Sequence, residues 1–429
     1  AEVVIALKDL NDSMQFQQWM RPEKLPSPAL VWPCNTELRH EPIGVVLVIG
    51  AFNVPLQSTF KTLVSSMAAG NCCVVKPSEQ CPKSEQLMVK LLPKYLDTKA
   101  FRVVTGGPVE TERLLKVQWD FIVFTGSQRV AKIVQKAAAE FLTPTILELG
   151  GKNPVIVDNN PGSLALLAKR LISIKLANAA QTCLAPDYVV CLEESAPAFE
   201  AACVKALHDM YGQDPKQSDS LGRIVSEQAA ERMQGWIKAT KGTIVCGGEV
   251  DVKRKYVAPT IIRGEALTAP LMENEIFGPI LLFHTVKTLD EAIALVEKVS
   301  GRSPLALYVF SQRSHFQEEC LRRLPSGGAM VNDAVYHMLA GPFGGVNSSG
   351  NGKLTAIWGF RSLSNQRTVV FKRLNFFDAP IRFPPFTELA AKIFATVGPA
   401  APDVPPLPLA TVAALALLGA AYYAGTRRS

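Results

Sequence analysis

Hydrophobic positions downstream of Gly44 follow two alternating patterns, short continuous runs and longer segments with helical spacing. The short runs are rich in Val, Ile and Phe and predict strands at Val45 to Ile49, Cys73 to Lys76, Phe101 to Val104, Phe121 to Phe124 and Thr145 to Leu149. The longer segments predict helices at Pro55 to Ala69, Pro82 to Leu96, Val109 to Lys116 and Ser127 to Phe141. Continuously apolar strands joined by helices are typical of a parallel sheet covered on both faces, with ligands at the carboxyl ends of its strands.

A second block with the same alternation runs from about Gly151 to Asn332. It begins with a predicted strand at Pro154 to Asp158 and a predicted helix around Leu164 to Asn178. The whole chain has 429 residues, which is more than one hydrophobic core usually serves. We therefore expect an α/β protein with two doubly wound parallel-sheet domains.

The segment Gln366 to Lys372 contains a β-branched and aromatic run, Thr368 to Phe371, that stands apart from both blocks. This composition predicts a β-strand. Because the strand is remote from the series of the second domain, we expect a small β extension whose edge strand joins two copies of the chain in a homodimer.

The C-terminal region carries three further segments. Apolar positions with helical spacing, together with Thr387 as a cap, predict an amphipathic helix at Phe386 to Val397. A proline-rich linker follows at residues 399–408 and is expected to be stiff and extended. Residues 409–425 carry no charged side chain.

The uncharged segment 409–425 predicts a transmembrane anchor. As a helix it would be about 25 Å long, close to the thickness of the hydrocarbon core. Tyr422 and Tyr423 have the interfacial position that aromatic residues favour, and Arg427 and Arg428 end the segment with charge. The alternative is an alanine-rich tail that packs as a surface helix or stays disordered. An anchor here would leave the rest of the chain facing the cytosol, with the endoplasmic reticulum favoured over the peroxisomal or outer mitochondrial membrane.

Charge and cysteine content exclude several classes of protein. The formal net charge is +7, from 45 Lys+Arg against 38 Asp+Glu, but the basic residues are scattered and form no run interleaved with aromatics. We therefore expect no nucleic-acid partner. The nine cysteines include no CxxC pair, which argues against a disulfide or zinc framework and for reduced thiols without a metal site.

The usual short signatures of enzymes are missing from the chain, which has no GxGxxG after a strand, no Walker motif, no HExxH and no GxSxG. What remains is a cysteine and a carboxylate near one domain junction. Gln181-Thr182-Cys183 follows the predicted helix that ends near Asn178, and Glu148 lies in the last strand of the first block, at the edge of the first domain. Taken alone, most free cysteines are buried and inert.

Eight stretches, in this order along the chain, carry a family resemblance. They are GVVLVIGAFNVP (Gly44 to Pro55), AAGNCCVVKPSE (Ala68 to Glu79), FTGSQRVAK (Phe124 to Lys132), LTPTILELGGKNP (Leu142 to Pro154), QTCLAPDYVVC (Gln181 to Cys191), ENEIFGPIL (Glu273 to Leu281), GPFGGVNSSGNGK (Gly341 to Lys353) and FDAPIRFPPFTE (Phe377 to Glu388). Together they resemble the aldehyde dehydrogenase superfamily, and within it the class 3 branch that includes fatty aldehyde dehydrogenases with a C-terminal membrane anchor. The resemblance covers nearly the whole chain and implies an aldehyde dehydrogenase-like fold.

The resemblance implies covalent catalysis by Cys183. The Cys183 thiolate would attack an aldehyde carbonyl, and the side-chain amide of Asn53 would donate to the resulting oxyanion. Loss of hydride to a nicotinamide would leave a thioester, which Glu148 would hydrolyse by activating water. Glu275 resembles the residue that holds the nicotinamide ribose, and a base role for it is a second option.

The resemblance also implies a dinucleotide site. Gly126 and Ser127 begin a helix whose N-terminal amides suit a pyrophosphate. Lys76 and Glu79 would bond the adenosine ribose, and a carboxylate there favours NAD while Lys76 leaves NADP open. Phe277 resembles the ring that packs against the nicotinamide ribose, beside Glu275.

Each of these residues also has a purely structural interpretation. Lys76 to Glu79 could end a strand and cap a helix, Glu148 could be a buried ion-pair partner, and Asn53 could belong to a turn. We expect His337 to be structural. The chain has Ala180 where the family usually has glycine before Gln-Thr-Cys, and the added methyl matters if the backbone there needs positive φ.

The resulting prediction divides the chain as follows: an NAD(P)-binding domain at 1–150, completed by about 341–360; a catalytic domain at 151–340; an oligomerisation strand at 361–375; a C-terminal amphipathic helix region at 376–398; the linker 399–408; and the anchor 409–425. The predicted function is oxidation of medium- or long-chain aliphatic aldehydes to carboxylic acids with reduction of NAD(P). The alternatives are a catalytically impaired, membrane-anchored scaffold and, disfavoured by Glu148, acyl transfer to coenzyme A.

Overall fold

The computed structural model describes residues 2–27, 33–372, 374 and 382–397, which fall into two compact units. The larger unit comprises Ala1–Phe16 and Ile43–Leu363, and the smaller unit comprises Gln17–Pro42 and Ser364–Ser429. Every candidate site residue named above belongs to the larger unit.

The described helices are α1 (Glu2–Ser13), α2 (Phe16–Trp19), α3 (Pro55–Ala68), α4 (Pro82–Tyr95), α5 (Pro108–Leu114), α6 (Gln128–Glu140), α7 (Leu164–Leu176), α8 (Ala196–Tyr211), α9 (Glu227–Ala239), α10 (Pro270–Glu273), α11 (Leu289–Ser300), α12 (Ser314–Arg323), α13 (Ala356–Ser362) and α14 (Glu388–Val397). The described strands are β1 (Glu23–Leu25), β2 (Cys34–Pro42), β3 (Val45–Ile49), β4 (Cys72–Lys76), β5 (Phe101–Val103), β6 (Phe121–Gly126), β7 (Thr145–Leu149), β8 (Asn153–Val157), β9 (Pro186–Leu192), β10 (Thr243–Cys246), β11 (Val250–Asp251), β12 (Tyr256–Val257), β13 (Thr260–Arg263), β14 (Ile280–Val286), β15 (Ala306–Phe310), β16 (Gly328–Val331), β17 (Gly350–Asn351) and β18 (Ser364–Lys372).

The first sheet of the larger unit has six strands in the order β17-β7-β6-β3-β4-β5. All neighbouring strands run parallel except β17, which pairs antiparallel with β7. The nine strands and helices predicted between Val45 and Leu149 are confirmed, with ends shifted by at most two residues. The central strands β3, β6 and β7 are mostly buried, as expected for a parallel sheet that helices cover on both faces, whereas the edge strand β5 is partly exposed.

Local sequence explains why the helices of this sheet begin where they do. Helix α3 begins at Pro55, whose fixed φ and missing N–H suit the first helical position. Helix α6 begins after Ser127, whose hydroxyl accepts the amide of Val130. Both helices therefore begin directly behind the carboxyl ends of the central strands β3 and β6, where ligands are expected.

The second sheet has seven strands in the order β10-β13-β14-β9-β8-β15-β16, parallel except for the edge strand β10. Alternate side chains of its central strands enter two different cores, with Val189 and Cys191 on one face and Val190 and Leu192 on the other. The predicted strand at Pro154 to Asp158 is confirmed as β8, shifted by one residue. The predicted helix around Leu164 to Asn178 is confirmed as α7, which ends two residues earlier, at Leu176, before the positive φ of 52° at Asn178.

The boundary predicted at residue 150 falls between the two sheets, since β7 ends at Leu149 and β8 begins at Asn153. The short strand β17 adds residues 350–351 to the first sheet, in the stretch expected to complete it. By contrast, Gln17–Pro42 groups with the C-terminal segment and not with the first sheet. The division into functional domains stays a prediction.

The smaller unit contains a three-stranded antiparallel sheet in the order β1-β2-β18. Strand β18 confirms the strand predicted at Gln366 to Lys372 and pairs with β2 from Ser364 opposite Pro42 to Lys372 opposite Cys34. It lies at an edge of this sheet, with Val370 and Phe371 exposed. Its use in a homodimer stays a prediction.

The predicted amphipathic helix is confirmed as α14, and Thr387 caps it by accepting the amide of Ala390 at 3.1 Å. The linker 399–408 and the predicted anchor 409–425 lie outside the described residues. Among the helices that are described, none combines the length and apolarity required to cross a bilayer.

Candidate active site

Cys183 lies in a short loop between the irregular segment Ala177–Ala180 and strand β9. Its side chain is partly exposed. The side chain of Asn153 donates to the backbone oxygen of Cys183 at 2.8 Å and to that of Ala185 at 3.0 Å. The Tyr308 hydroxyl donates to the oxygen of Leu184 at 2.7 Å. Two buried side chains of the second sheet thus fix the loop that carries the thiol.

The chain reaches this loop through three successive residues with positive φ, namely Asn178 (52°), Ala179 (51°) and Ala180 (60°). A non-glycine residue in this conformation costs about 1–2 kcal/mol. The carboxamide of Gln181 stabilises the turn. It donates to the backbone oxygens of Asn178 and Arg223 and accepts a hydrogen bond from the backbone amide of Val225. The backbone at Ala180 therefore has the positive φ that glycine, the residue usual in the family at this position, adopts without strain.

Replacing Ala180 with glycine is expected not to lower the free energy of unfolding. The relief of positive φ, about 1–2 kcal/mol, exceeds the loss of one buried methyl, about 0.8 kcal/mol. The matched control is Ala168→Gly, since Ala168 is equally buried but lies inside helix α7, where glycine costs about 1 kcal/mol in addition to the methyl. Urea unfolding of both variants checks this, and equal losses at the two positions would contradict it.

Glu148 is the fourth residue of β7, and its side chain is buried. Neither carboxylate oxygen has a hydrogen-bond partner among the described residues. Burial raises the pKa of Glu148 to about 8, while the cations of Lys61 and Lys353 oppose the rise. A buried carboxylate with a pKa near neutrality and both oxygens unengaged has the properties of a general base.

The Cys183 thiol is electrostatically coupled to two carboxylates. Burial and the charges of Glu275 and Glu148 raise the pKa of Cys183 to about 12, and the charge of Lys61 opposes the rise. Cys183, in the loop before β9, is thus close enough to interact electrostatically with Glu148 of β7 and with Glu275 of the loop before β14.

Lys61 is a neighbour of this site that the sequence analysis missed. It lies in helix α3, is buried, and places its ammonium 4.2 Å from the centre of the Phe343 ring. Burial lowers the pKa of Lys61, and the charges of Asp9, Glu148 and Cys183 oppose this. The sequence did contain a signal for this residue, since Lys61 is the single charged residue of helix α3.

Asn53 lies in the turn between β3 and α3. Its backbone oxygen accepts from the side chain of Asn178 at 2.9 Å, which joins the Asn53 turn to the segment leading to Cys183. The thiol of Cys81 donates to the preceding carbonyl, that of Phe52, at 3.1 Å. The Asn53 turn is therefore close to the nucleophile's segment, and the oxyanion role of its side-chain amide stays a prediction.

Glu275 and Phe277 lie in the loop between α10 and β14. A carboxylate oxygen of Glu275 accepts the amide of Gly151 at 3.3 Å, and a Cβ on Gly150 would lie 2.0 Å from its other oxygen. Burial raises the pKa of Glu275 to about 8. The Phe277 ring packs edge-on against Phe52, with 5.7 Å between ring centres. Only glycine at position 150 therefore allows this carboxylate to lie against the end of β7.

The proposed adenosine and pyrophosphate residues lie at the carboxyl ends of strands in the first sheet. Lys76 ends β4 and donates to Glu79 at 3.1 Å and to Pro77 O at 2.8 Å. Gly126 ends β6, and Ser127 caps the 13-residue helix α6. Strand β3 lies between β4 and β6. An exposed carboxylate, a lysine and a helix N-terminus along one sheet edge fit a dinucleotide, as the sequence analysis expected.

Two further predictions concern residues outside this cluster. No group of three or more His, Cys, Asp or Glu side chains that could hold a metal occurs among the described residues. His337 packs against the Tyr308 ring at 6.1 Å between centres, and burial lowers its pKa. Its assignment as a structural residue stays a prediction.

Comparison with known proteins connects this geometry to one family. The sequence profile of the Aldehyde dehydrogenase family matches residues 2–369. Aldehyde dehydrogenase family 3 member B1 of Rattus norvegicus is 42% identical over 395 residues, which cover 90% of this chain and 81% of that protein. Aldehyde dehydrogenase family 3 member H1 of Arabidopsis thaliana is 38% identical over 379 residues, covering 87% and 78%.

Solved structures show the same fold. The substrate-bound state of Staphylococcus aureus AldH superposes with a TM-score of 0.87 at 33% sequence identity, covering 92% of this chain and 86% of that one.

Proposed function

The chain belongs to the aldehyde dehydrogenase family, in its class 3 branch, and from this premise we propose that it oxidises medium- or long-chain aliphatic aldehydes at a membrane. As a member of the family it is an NAD(P)-dependent enzyme that converts aldehydes to carboxylic acids. The observation that carries the proposed mechanism is the coupling of the Cys183 thiol to the buried carboxylate of Glu148.

The first half of the proposed reaction takes place on Cys183. Its Sγ loses the thiol proton to solvent and forms a bond to the aldehyde carbon, and the carbonyl oxygen becomes an oxyanion. The Asn53 side chain and the Cys183 amide stabilise that charge. The nicotinamide cofactor, when bound, supplies the acceptor for the hydride. The acyl group then remains on Cys183 as a thioester.

The second half of the proposed reaction is hydrolysis, and Glu148 is the base. It takes a proton from a water molecule, whose oxygen adds to the thioester carbon, and the carbon–sulfur bond breaks to release the acid and the Cys183 thiolate. Lys61 and Lys353 stabilise the ionised form of Glu148, since both lower its pKa. Without these two cations the base would be protonated over a wider range of pH.

The proposed cofactor contacts assign a separate task to each residue. The N-terminus of α6 at Gly126 and Ser127 binds the pyrophosphate, and Glu275 and Phe277 hold the nicotinamide ribose. Glu79 bonds the adenosine ribose hydroxyls, with Lys76 beside it. Since a carboxylate repels a 2′-phosphate, NAD is the preferred cofactor and NADP the second.

Replacing Glu79 with glutamine is expected to raise the ratio of kcat/KM with NADP to that with NAD by about fivefold. The substitution removes one negative charge at the 2′ position, worth on the order of 1 kcal/mol at an exposed site. The control is Glu112→Gln, an exposed acid on α5. Steady-state kinetics with both cofactors checks this, and an unchanged ratio in Glu79→Gln would show that another residue selects the cofactor.

The proposed substrate class rests on the class 3 resemblance and on the C-terminal sequence. The amphipathic helix α14 and the uncharged segment 409–425 suit an enzyme whose substrates partition into lipid. The test is a series of aldehydes from two to sixteen carbons, measured with NAD and with NADP. The proposal predicts that kcat/KM rises by about threefold to fourfold for each methylene that enters the site. A flat series with good turnover would reject the fatty substrate and leave the general activity intact.

Deleting residues 409–429 is expected to move the protein from the membrane fraction to the supernatant after centrifugation of cell lysate. The deletion removes from the chain an apolar stretch that is long enough to span the hydrocarbon core. The matched control is a chain in which Arg427 and Arg428 alone are replaced by alanine, which should remain with the membranes. Continued sedimentation of the deleted chain would refute the anchor.

The competing hypothesis of a catalytically impaired scaffold draws on Ala180, whose φ of 60° strains the segment before the nucleophile. The aldehyde series separates the two. A well-folded wild-type chain that reduces neither NAD nor NADP with any aldehyde would favour the scaffold, and restored turnover in Ala180→Gly would identify the cause.

A further inference from the structure

Asp187 is a buried carboxylate that none of the steps above uses. It is the second residue of β9, four positions after Cys183, and its side chain is 2% exposed. One oxygen lies 3.4 Å from the ammonium of Lys152, and the other lies 3.4 Å from that of Lys175. The backbone amide of Ile276 donates to the same carboxylate at 3.0 Å. A single side chain therefore bonds three segments of the chain.

These three segments carry the residues of the candidate site. Lys152 follows β7, the strand of Glu148. Lys175 lies in the last turn of α7, which leads to the Cys183 loop. Ile276 stands between Glu275 and Phe277, the proposed ribose contacts.

The partners of Asp187 are themselves firmly held. Lys152 and Lys175 are buried. The ammonium of Lys152 also donates to the backbone oxygen of Leu271 in α10, and its own backbone oxygen accepts from the Ser300 hydroxyl. The neighbour of Asp187, Tyr188, bonds that same hydroxyl at 2.7 Å. The network thus fixes helix α10 and the middle of the loop between α10 and β14 relative to β8 and β9.

The same network sets the electrostatic surroundings of Glu275. Burial and the charge of Asp187 raise the pKa of Glu275, while the amide of Gly151 and the cations of Lys152 and Lys175 lower it. Arg232 on α9 and Cys183 face it as well. Without Asp187 two buried cations would remain unbalanced beside this carboxylate.

Stability alone does not account for a buried cluster of this kind. Replacing buried ion pairs with well-packed apolar residues is often neutral or stabilising, because removing charges from water is costly. In some systems such pairs are retained because they define one geometry. Asp187 contacts three segments, and a dinucleotide site requires these segments to have a defined relative position.

We propose that Asp187 is a positioning residue that holds the Glu275–Phe277 loop against the nucleophile's sheet, so that the nicotinamide ribose binds in register with Cys183. The inference rests on the proposed cofactor contacts of Glu275 and Phe277. It assigns Asp187 no contact with substrate or cofactor.

The test measures the Kd for NADH by protein-to-nicotinamide energy transfer in the full chain, without turnover. Asp187→Asn removes the charge that pairs both lysines, and Asp187→Glu retains it but moves the carboxylate by one methylene, away from the Ile276 amide. Both variants are expected to raise the Kd for NADH and the KM for NAD by about tenfold or more, with the KM for the aldehyde within about twofold of wild type. If Asp187→Asn does not fold, Asp187→Glu decides the question.

The matched control is Asp158→Asn. Asp158 is equally buried, bonds Ser311 and Arg313, and follows the opposite end of β8 from the Asp187 cluster. The Asp158→Asn substitution is expected to lower the Tm while leaving the Kd for NADH unchanged. A Kd unchanged in the Asp187 variants, with a Tm loss like that of Asp158→Asn, would overturn the inference alone. A wild-type chain that binds no NADH would overturn both the inference and the proposed cofactor site.

Discussion

Replacing Cys183 with alanine abolishes aldehyde-dependent reduction of NAD, with a fall in kcat of at least about 10³-fold. The thiol is the atom that would form the covalent bond to substrate, and nothing in the remaining side chains substitutes for it. Asn153 and Tyr308 hold the loop through backbone oxygens of residues 183–185, so the substitution leaves those bonds in place. The fold and the Kd for NADH should therefore be close to those of wild type.

The matched control for this prediction is Cys246→Ala. Cys246 is also a partly exposed free thiol, but it lies on the edge strand β10 of the second sheet. Its substitution should leave kcat within about twofold of wild type, as expected for a residue remote from the chemistry. Activity that survives in Cys183→Ala, or that is lost equally in Cys246→Ala, would remove the basis for the nucleophile.

Replacing Glu148 with glutamine separates the two halves of the reaction. The variant should give a rapid burst of about one NADH per chain and then a steady-state rate lower by about 10²–10⁴-fold, because the base for hydrolysis is missing. The burst should persist, since the Glu148 charge raises the pKa of Cys183 and its removal favours the thiolate. Alkylation of Cys183 by iodoacetamide at fixed pH should accordingly be faster than in wild type.

The pH profile gives a second test of Glu148. Its pKa is about 8, so below that pH the Glu148 side chain is protonated in most molecules and cannot accept a proton from water. Where hydrolysis limits the wild-type rate, kcat should rise with pH and level off above about 8, and this rise should be absent in Glu148→Gln. The control is Glu200→Gln, a buried acid of α8 that pairs with Arg263 at 3.1 Å. A variant without a burst, or with slower alkylation, would instead make Glu148 the base for the thiol.

The helices and strands of both large sheets could be predicted because their apolar runs are continuous and their caps are local. Pro55 and Ser127 are examples, since each begins a helix through its own backbone or hydroxyl. The order of strands within the sheets could not be predicted in this way. Strand β17 joins β7 across some two hundred residues, and that pairing depends on tertiary contacts that leave no short-range pattern.

The candidate site was predictable to the extent that it rests on motifs. Cys183, Glu148 and Glu275 were named from short stretches, and the structure couples them electrostatically. Lys61 and the Asp187 network were missed because a buried charge is recognisable only once its partners from other segments are placed around it. The positive φ at Ala180 could not be predicted from the sequence, because this backbone angle follows from the packed turn and not from the residue type.

The proposed covalent mechanism requires that an acyl group derived from the aldehyde be carried on Cys183. The most direct test is peptide mass spectrometry of the Glu148→Gln chain, quenched in acid after incubation with decanal and NAD, with Cys183→Ala in parallel. We expect a decanoyl group on the peptide that contains Cys183, formed only when NAD is present and absent from the Cys183→Ala chain. Formation of NADH and decanoic acid with Cys183 unmodified, or with the acyl group on another cysteine, would contradict it.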